Sequence, residues 1–372
     1  MKIQSCLLLV LLVTGCSGFL ASWFRKSSES KEKPSSCSDN TNCGDCSSDK
    51  DHNCGWCQLD QTCYEFNNQS HSRSCFDKDL VKEGSKCSIG PVYDQKTAQD
   101  LVKFAAAAYG DDPQKCMKNL KNDYKVLATV RTDPDYLGNT HFTFIAQSEK
   151  EKRIVISYRG TDTPLELLRQ GIDRVTSWKE HFTKGIVLPY FYDGVYNGWA
   201  NVIEPVKRAL SEHPDYDVYV TGHSLGGALA TLAAFELSYS KTVSREKLHL
   251  ITYGQPRVGN VILSKALNRY VPNSWRIVHR SDVVPHIPSC LGFSNCEKEG
   301  PLHHGIEVYY PEGEMKPDVS PYRICYGEDN KCANGSQGKM KCIWKGILCV
   351  TDHIWYFDLR MDSFGRNNCE KD

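Results

Sequence analysis

Residues 217–237 constrain the fold more than any other stretch of the chain. A short β-prone run, Asp217-Val218-Tyr219-Val220-Thr221, leads into Gly222-His223-Ser224-Leu225-Gly226, and Gly227 to Leu237 then places small and apolar residues at helical spacing. Strand, sharp turn and helix in direct succession is the unit from which layered α/β proteins are built. In a G-x-S-x-G turn of this kind the serine takes a strained backbone conformation that lifts its hydroxyl clear of the chain. Gly222 and Gly226 leave room where strand and helix nearly collide. Ser224 is therefore a candidate nucleophile. The pentapeptide alone is a weak pattern, and its flanks are what give it meaning.

The neighbouring sequence supplies the rest of a sheet. Phe142-Thr143-Phe144-Ile145-Ala146, Arg153 to Tyr158, Val218 to Val220, Leu248 to Tyr253 and Trp275 to His279 read as successive strands. Several are apolar on both faces, as buried central strands are. Helical segments alternate with them at 198–212, 227–240 and 260–270, and Thr97 to Tyr109 reads as a helix N-capped near Thr97. The expected class is α/β with a mostly parallel central sheet, spanning residues 92–372.

The N-terminal part has a different character. Lys2 precedes the apolar run Cys6 to Val13, and Cys16, Ser17 and Gly18 follow, the layout of a secretory signal peptide over residues 1–18. The run is too short to span a bilayer. Val13-Thr14-Gly15-Cys16 also fits a bacterial lipoprotein cleavage box. Residues 19–36 are polar and charged and read as a solvated linker. Eight cysteines then crowd between Cys37 and Cys87 with few aliphatic residues, so cross-links of about 2–4 kcal/mol each have to hold this segment together. Sixteen of the 18 cysteines follow residue 18, an even number consistent with disulfides in an oxidising compartment and a secreted protein. The spacings Cys43-x-x-Cys46 and Cys54-x-x-Cys57 also fit a zinc ribbon, a reading that secretion disfavours. Asn68 and Asn334 stand in glycosylation sequons. Lys plus Arg and Asp plus Glu both number 45, so no basic excess points to nucleic acid.

A serine nucleophile needs a base, a carboxylate that orients the base, and donors for an oxyanion. In hydrolases built on a G-x-S-x-G elbow the acid and base follow the serine in the chain. Asp282, just beyond the strand ending at His279, stands at a strand edge where open α/β sheets place their sites. His279, His286, His303, His304 and His353 all follow Ser224, and local chemistry does not choose among them. His353 lies in a polar turn before an aromatic run. Leu225, immediately after the nucleophile, offers its backbone N–H to an oxyanion.

Five blocks carry a resemblance: Tyr158-Arg159-Gly160-Thr161, Thr221 to Ala228, Thr252-Tyr253-Gly254-Gln255-Pro256-Arg257-Val258-Gly259-Asn260, Asp282-Val283-Val284-Pro285, and Asp352-His353-Ile354-Trp355-Tyr356. In order and content they resemble the signature blocks of the class-three lipases, the fungal-type triacylglycerol lipase family with an α/β-hydrolase fold. The resemblance implies Ser224 as nucleophile, Asp282 as acid, His353 as base, and Thr161 with Leu225 as the oxyanion hole. It implies hydrolysis of lipid esters at a lipid–water interface through an acyl-enzyme, without metal or cofactor. Phospholipase A1 and soluble carboxylesterase chemistry use the same residues and remain alternatives.

Leu165, Leu168 and Ile172, at helical spacing after the Thr161 strand, correspond to the family's lid; a permanently packed surface helix has the same pattern. Cys116 with Cys369 resembles the family's terminal cross-link, and Cys290–Cys296, Cys325–Cys332 and Cys342–Cys349 are the nearest-neighbour pairs. Cys54-Gly55-Trp56-Cys57, with the cysteines around it, resembles the plexin-semaphorin-integrin (PSI) module over residues 37–87, a spacer or a site for a protein partner. A secreted interaction protein using that module is the reading from another functional class.

Overall fold

The computed structural model describes residues 36–37, 40, 43–57, 62–65, 80–82, 92–132, 140–161, 178–289, 299–326, 328, 332–335 and 347–370. The signal segment, the linker, Asn68, Leu165, Leu168, Ile172, Cys290, Cys296 and Cys342 lie outside the described residues.

Eight strands form the central sheet: β1 (Lys125–Arg131), β2 (Phe142–Ser148), β3 (Arg153–Tyr158), β4 (Asp217–His223), β5 (Leu248–Tyr253), β6 (Ser274–His279), β7 (Ile306–Tyr310) and β8 (Arg323–Tyr326). Their order across the sheet is their order in the chain. β3 through β7 run parallel, while β1, β2 and β8 are antiparallel at the two edges. This is the α/β-hydrolase fold with a mostly parallel sheet.

Two cores sandwich the sheet. Successive strand residues point to opposite faces, so Val218 and Val220 join one core and Tyr219 the other. On the first face lie α2 (Trp199–Glu212), α3 (Leu225–Tyr239) and α4 (Val261–Tyr270). α3 buries almost its whole circumference, which is why its sequence is small and apolar all round. On the second face α1 (Gln95–Ala107) packs with residues from the C-terminal segment, including Tyr356, Met361 and Phe364. The expected cap near Thr97 is displaced: Asp94 caps α1, its carboxylate accepting from the N–H of Lys96 at 3.0 Å. Cys116 and Cys369 are bonded across 253 residues, and Cys325 pairs with Cys332, both as expected.

The N-terminal cysteine-rich segment has a short helix, Cys43–Ser48, and three antiparallel strands, Cys54–Cys57 between Thr62–Glu65 and Leu80–Val81. Among the described residues of this segment Trp56, 4 % exposed, is the one large buried side chain, packed among Cys37, Cys43, Cys46, Cys54, Cys63 and Val81. Cys37 pairs with Cys54 and Cys46 with Cys63, and Cys43 and Cys57 are also disulfide-bonded. The four sulfurs of the zinc-ribbon spacing are therefore consumed in disulfides, and the thiolates that zinc requires are missing.

Candidate active site

Three adjacent parallel strands run side by side to one edge of the sheet, with His223, Tyr253 and Ile277 in register and the third strand continuing to His279. Ser224 opens the turn between β4 and α3 with φ +57° and ψ −128°, a conformation L-residues rarely adopt. Its N–H donates to the carbonyl of Tyr253 at 2.9 Å and its carbonyl accepts from Gly227 at 3.0 Å, so the strained residue is pinned from both sides. The two glycines have the expected reason. A Cβ on Gly222 would run into the backbone of Gly226, and a Cβ on Gly226 into the carbonyl of Tyr158 at the end of β3. Ser224 is 4 % exposed.

Asp282 follows β6 and is fully buried. Its Oδ2 accepts from His353 Nδ1 at 2.9 Å, and its Oδ1 from the N–H of Val284 at 2.9 Å. Burial pushes the carboxyl pKa up, but the adjacent His353, the Tyr356 hydroxyl and the Val284 N–H outweigh it and hold the group below its ordinary value. With the carboxylate ionised, Nδ1 of His353 is the donor, and Nε2 is left with its lone pair to accept a proton. His353 is not in a polar turn, as expected from sequence, but in the last turn of α5 (Ile347–Ile354). That helix is docked by its neighbour residues. Asp352 accepts from the N–H of Ser281 at 3.1 Å and pairs with Arg280 at 3.4 Å, and Nδ1 of His279 donates to the carbonyl of Trp355 at 2.8 Å.

Thr161 follows β3, and its hydroxyl oxygen is buried with no hydrogen-bond partner among the described residues. Leu225 is the first residue of α3, so its N–H is among those that helix geometry leaves without an intrahelical acceptor. Asn334 lies in the 332–335 turn, where its Nδ2 donates to the carbonyl of Glu328 at 3.2 Å.

Sequence reading missed four contributors. Tyr356 donates its hydroxyl to Asp282 Oδ2 at 2.6 Å. Gly254, at φ +55°, passes so close that a Cβ would lie 2.6 Å from Asp282 Oδ2 and 2.9 Å from His353 Nδ1. His223, inside the G-x-S-x-G turn, donates Nε2–H to the carbonyl of His353 at 2.8 Å, and its ring stacks on His353 at 4.6 Å between centroids. Tyr109 completes that link by donating to Nδ1 of His223 at 2.8 Å. Burial, then the adjacent His353, lowers the His223 pKa to about 3, so this second imidazole stays neutral beside the first. Tyr356 and Gly254 stood inside the quoted sequence blocks, but only the fold gives them partners.

Among the described residues, the one group of side chains close enough to hold a metal ion is Cys37, Cys54 and Cys63, and their sulfurs are in disulfides. No helix among the described residues is long and apolar enough to cross a membrane.

The model of the family described as Lipase (class 3) matches residues 155–292. A lipase of Caenorhabditis elegans is 32 % identical over 300 residues, covering 75 % of this chain and 83 % of its own. Secreted mono- and diacylglycerol lipase A of Penicillium cyclopium is 27 % identical, covering 69 % and 82 %. The crystal structure of a lipase from Rhizopus microsporus var. chinensis superposes with a TM-score of 0.59 at 27 % identity, over 74 % of this chain and 91 % of that one.

Proposed function

The chain belongs to the class-three lipase family, and from that premise we propose that it is a secreted triacylglycerol lipase working through an acyl-enzyme on Ser224. The observation that carries the assignment is the buried Asp282–His353 pair seated beside the strained serine turn. In this reading His353 Nε2 takes the Ser224 proton as Oγ attacks the ester carbonyl. Asp282 holds the imidazole in the required tautomer and offsets the charge it gains. The oxyanion receives the N–H of Leu225 and the N–H and hydroxyl of Thr161, each donor worth about 3–4 kcal/mol in the transition state. The alcohol leaves with the proton from His353, and water repeats the sequence to release the fatty acid.

Secretion is supported by the leader-like residues 1–18 and by the disulfides. Leu165, Leu168 and Ile172 are proposed to line a lid over the site. The cysteine-rich segment is proposed to be a PSI-like module that tethers or spaces the enzyme, and Asn68 and Asn334 are proposed as glycan acceptors. The Penicillium relative's name favours partial glycerides as a second substrate reading.

The test is hydrolysis of emulsified tri-, di- and monoacylglycerol, phospholipid and a soluble ester, beside Ser224→Ala, Asp282→Asn and His353→Ala. We expect triacylglycerol to be turned over fastest and each variant to lose about 10⁴-fold or more in kcat. Preference for phospholipid or for soluble ester would move the assignment to those classes. Hydrolysis of none of them would leave the interaction-protein reading.

A further inference from the structure

A second group of buried charge lies behind the loop that carries Asp282. Arg257, in the turn after β5, donates Nε to Oε1 of Glu328 and Nη2 to Oε2, both at 2.8 Å, in a fork-on-fork pair. Their side chains are 10 and 20 % exposed. The third guanidinium nitrogen, Nη1, donates to the carbonyls of His286 at 2.7 Å and Pro288 at 3.2 Å. The backbone N–H of Arg257 donates to the carbonyl of Ile287 at 2.9 Å. His303 supplies the remaining contact, its Nε2–H donating to the carbonyl of Pro285 at 2.7 Å and its backbone N–H to Oε1 of Glu328 at 3.1 Å.

Four successive carbonyls, 285 to 288, are thus each held by Arg257 or His303, and Glu328 is the carboxylate bonded to both. Asp282 is joined to this stretch by one short turn. Val284–His286 is a 3-10 turn, the Val284 N–H donates to Asp282 Oδ1, and the Ile287 N–H donates to the Val284 carbonyl at 3.1 Å. A shift of the 285–288 backbone is therefore passed to the carboxylate that faces His353. The clamp is itself braced, because the Cys325–Cys332 disulfide closes the segment bearing Glu328 and Asn334 holds the Glu328 carbonyl. Burial raises the Glu328 pKa, but the bonded Arg257 pulls it well below the carboxylate range, so the pair is ionised at neutral pH.

We propose that Glu328 and Arg257 are positioning residues for the reaction, fixing the 285–288 backbone so that Asp282 Oδ2 stays on His353 Nδ1. The proposal rests on the reading of Asp282 as the acid. Displacements well under an ångström at such a group reduce rate without touching ground-state binding, and a full ångström costs about a hundredfold.

The test is a double-mutant cycle on a soluble ester, with folding checked by circular dichroism. Glu328→Gln is expected to lower kcat about ten- to a hundredfold with KM within about twofold, and to cost nothing further in an Asp282→Asn background. An equal loss with and without Asp282, a loss carried by KM, or an unchanged kcat would overturn the clamp. If Asp282→Asn itself leaves kcat intact, the acid reading has failed, which is a separate result. Should Glu328→Gln not fold, Glu328→Asp keeps the charge with a shorter reach and is run through the same cycle with the same outcomes.

Discussion

Tyr356 donates its hydroxyl to the same Asp282 oxygen that accepts the His353 Nδ1 hydrogen bond, at 2.6 Å against 2.9 Å. Nothing else among the described residues places two side-chain donors on one fully buried carboxylate oxygen of the site. Tyr356→Phe strips one of them while keeping the ring. A hydrogen bond to a charged group contributes about 1.5–3 kcal/mol, and that loss is expected in the urea unfolding free energy at pH 7. The Asp282 carboxyl is held below its unfolded value, so its stabilisation is present above about pH 4 and lost as pH falls through the folded value. The deficit of the variant should therefore shrink below about pH 4, and a deficit independent of pH would assign the effect to packing.

Thr161→Val is expected to move activity and stability in opposite directions. Among the described residues the Thr161 hydroxyl is buried without a partner, an arrangement that costs a folded protein about 1–3 kcal/mol. Replacing it with a methyl relieves that cost and should raise the melting temperature. The same change removes a proposed oxyanion donor and should lower kcat by about 10²-fold or more. Scanning calorimetry and steady-state kinetics on one preparation check both halves. A variant as active as wild type would remove the hydroxyl from the oxyanion hole.

At Gly254 the prediction is a loss of catalysis far larger than the size of the change. A methyl there meets Asp282 Oδ2 at 2.6 Å, and His353 Nδ1 and the Tyr356 hydroxyl at 2.9 Å each, from a backbone at φ +55° that alanine tolerates poorly. Asp282 and His353, the proposed acid and base, must separate to admit it, which should cost about a hundredfold or more in kcat. Strain adds about 1–2 kcal/mol of lost stability. A crystal structure of Gly254→Ala with the Asp282–His353 distance unchanged would refute the mechanism of the loss.

Stability should fall on mild acidification, through histidines buried as neutral rings. His223 and His304 both have pKa values lowered to about 3 by burial, and His303 is pushed down as well. A histidine depressed in this way takes up its proton in the unfolded chain first, near pH 6.5, so each one favours unfolding by about 1.4 kcal/mol per pH unit below that value. The penalty grows from about pH 6.5 down to the folded values near 3. Guanidinium midpoints at pH 7.5, 6 and 5 measure it. A flat profile across that range would mean these rings are charged in the native state.

Much of the fold was legible because hydrophobic periodicity survives in buried strands and helices. β3 and β5 have the bounds expected from sequence, and α3 and α4 start within about two residues of theirs. Edge strands β1 and β8 escaped because β1 alternates exposed and half-buried residues around charged Lys125 and Arg131, and neither carries a continuous apolar run. The geometry of the site was less legible. Ser224 announces itself by its flanks, whereas His353 is joined to Asp282 across 71 residues and Tyr356 across 74. His223 reaches the His353 carbonyl across 130 residues. Such contacts leave no local pattern, which is why resemblance to a family, and not spacing, singled out His353 among the histidines that follow Ser224.

Each strand of the sheet lies beside the strand that precedes it in the chain, so synthesis delivers the strands in the order in which they pair. The proposed catalytic groups keep that timetable. Ser224 is finished with β4 and Asp282 just after β6, but His353 arrives only beyond β8, and Cys116 waits 253 residues for Cys369. A growing chain therefore carries Ser224 long before it carries the proposed base. The proposed triad can therefore be complete only once the chain beyond the last strand of the sheet has been made.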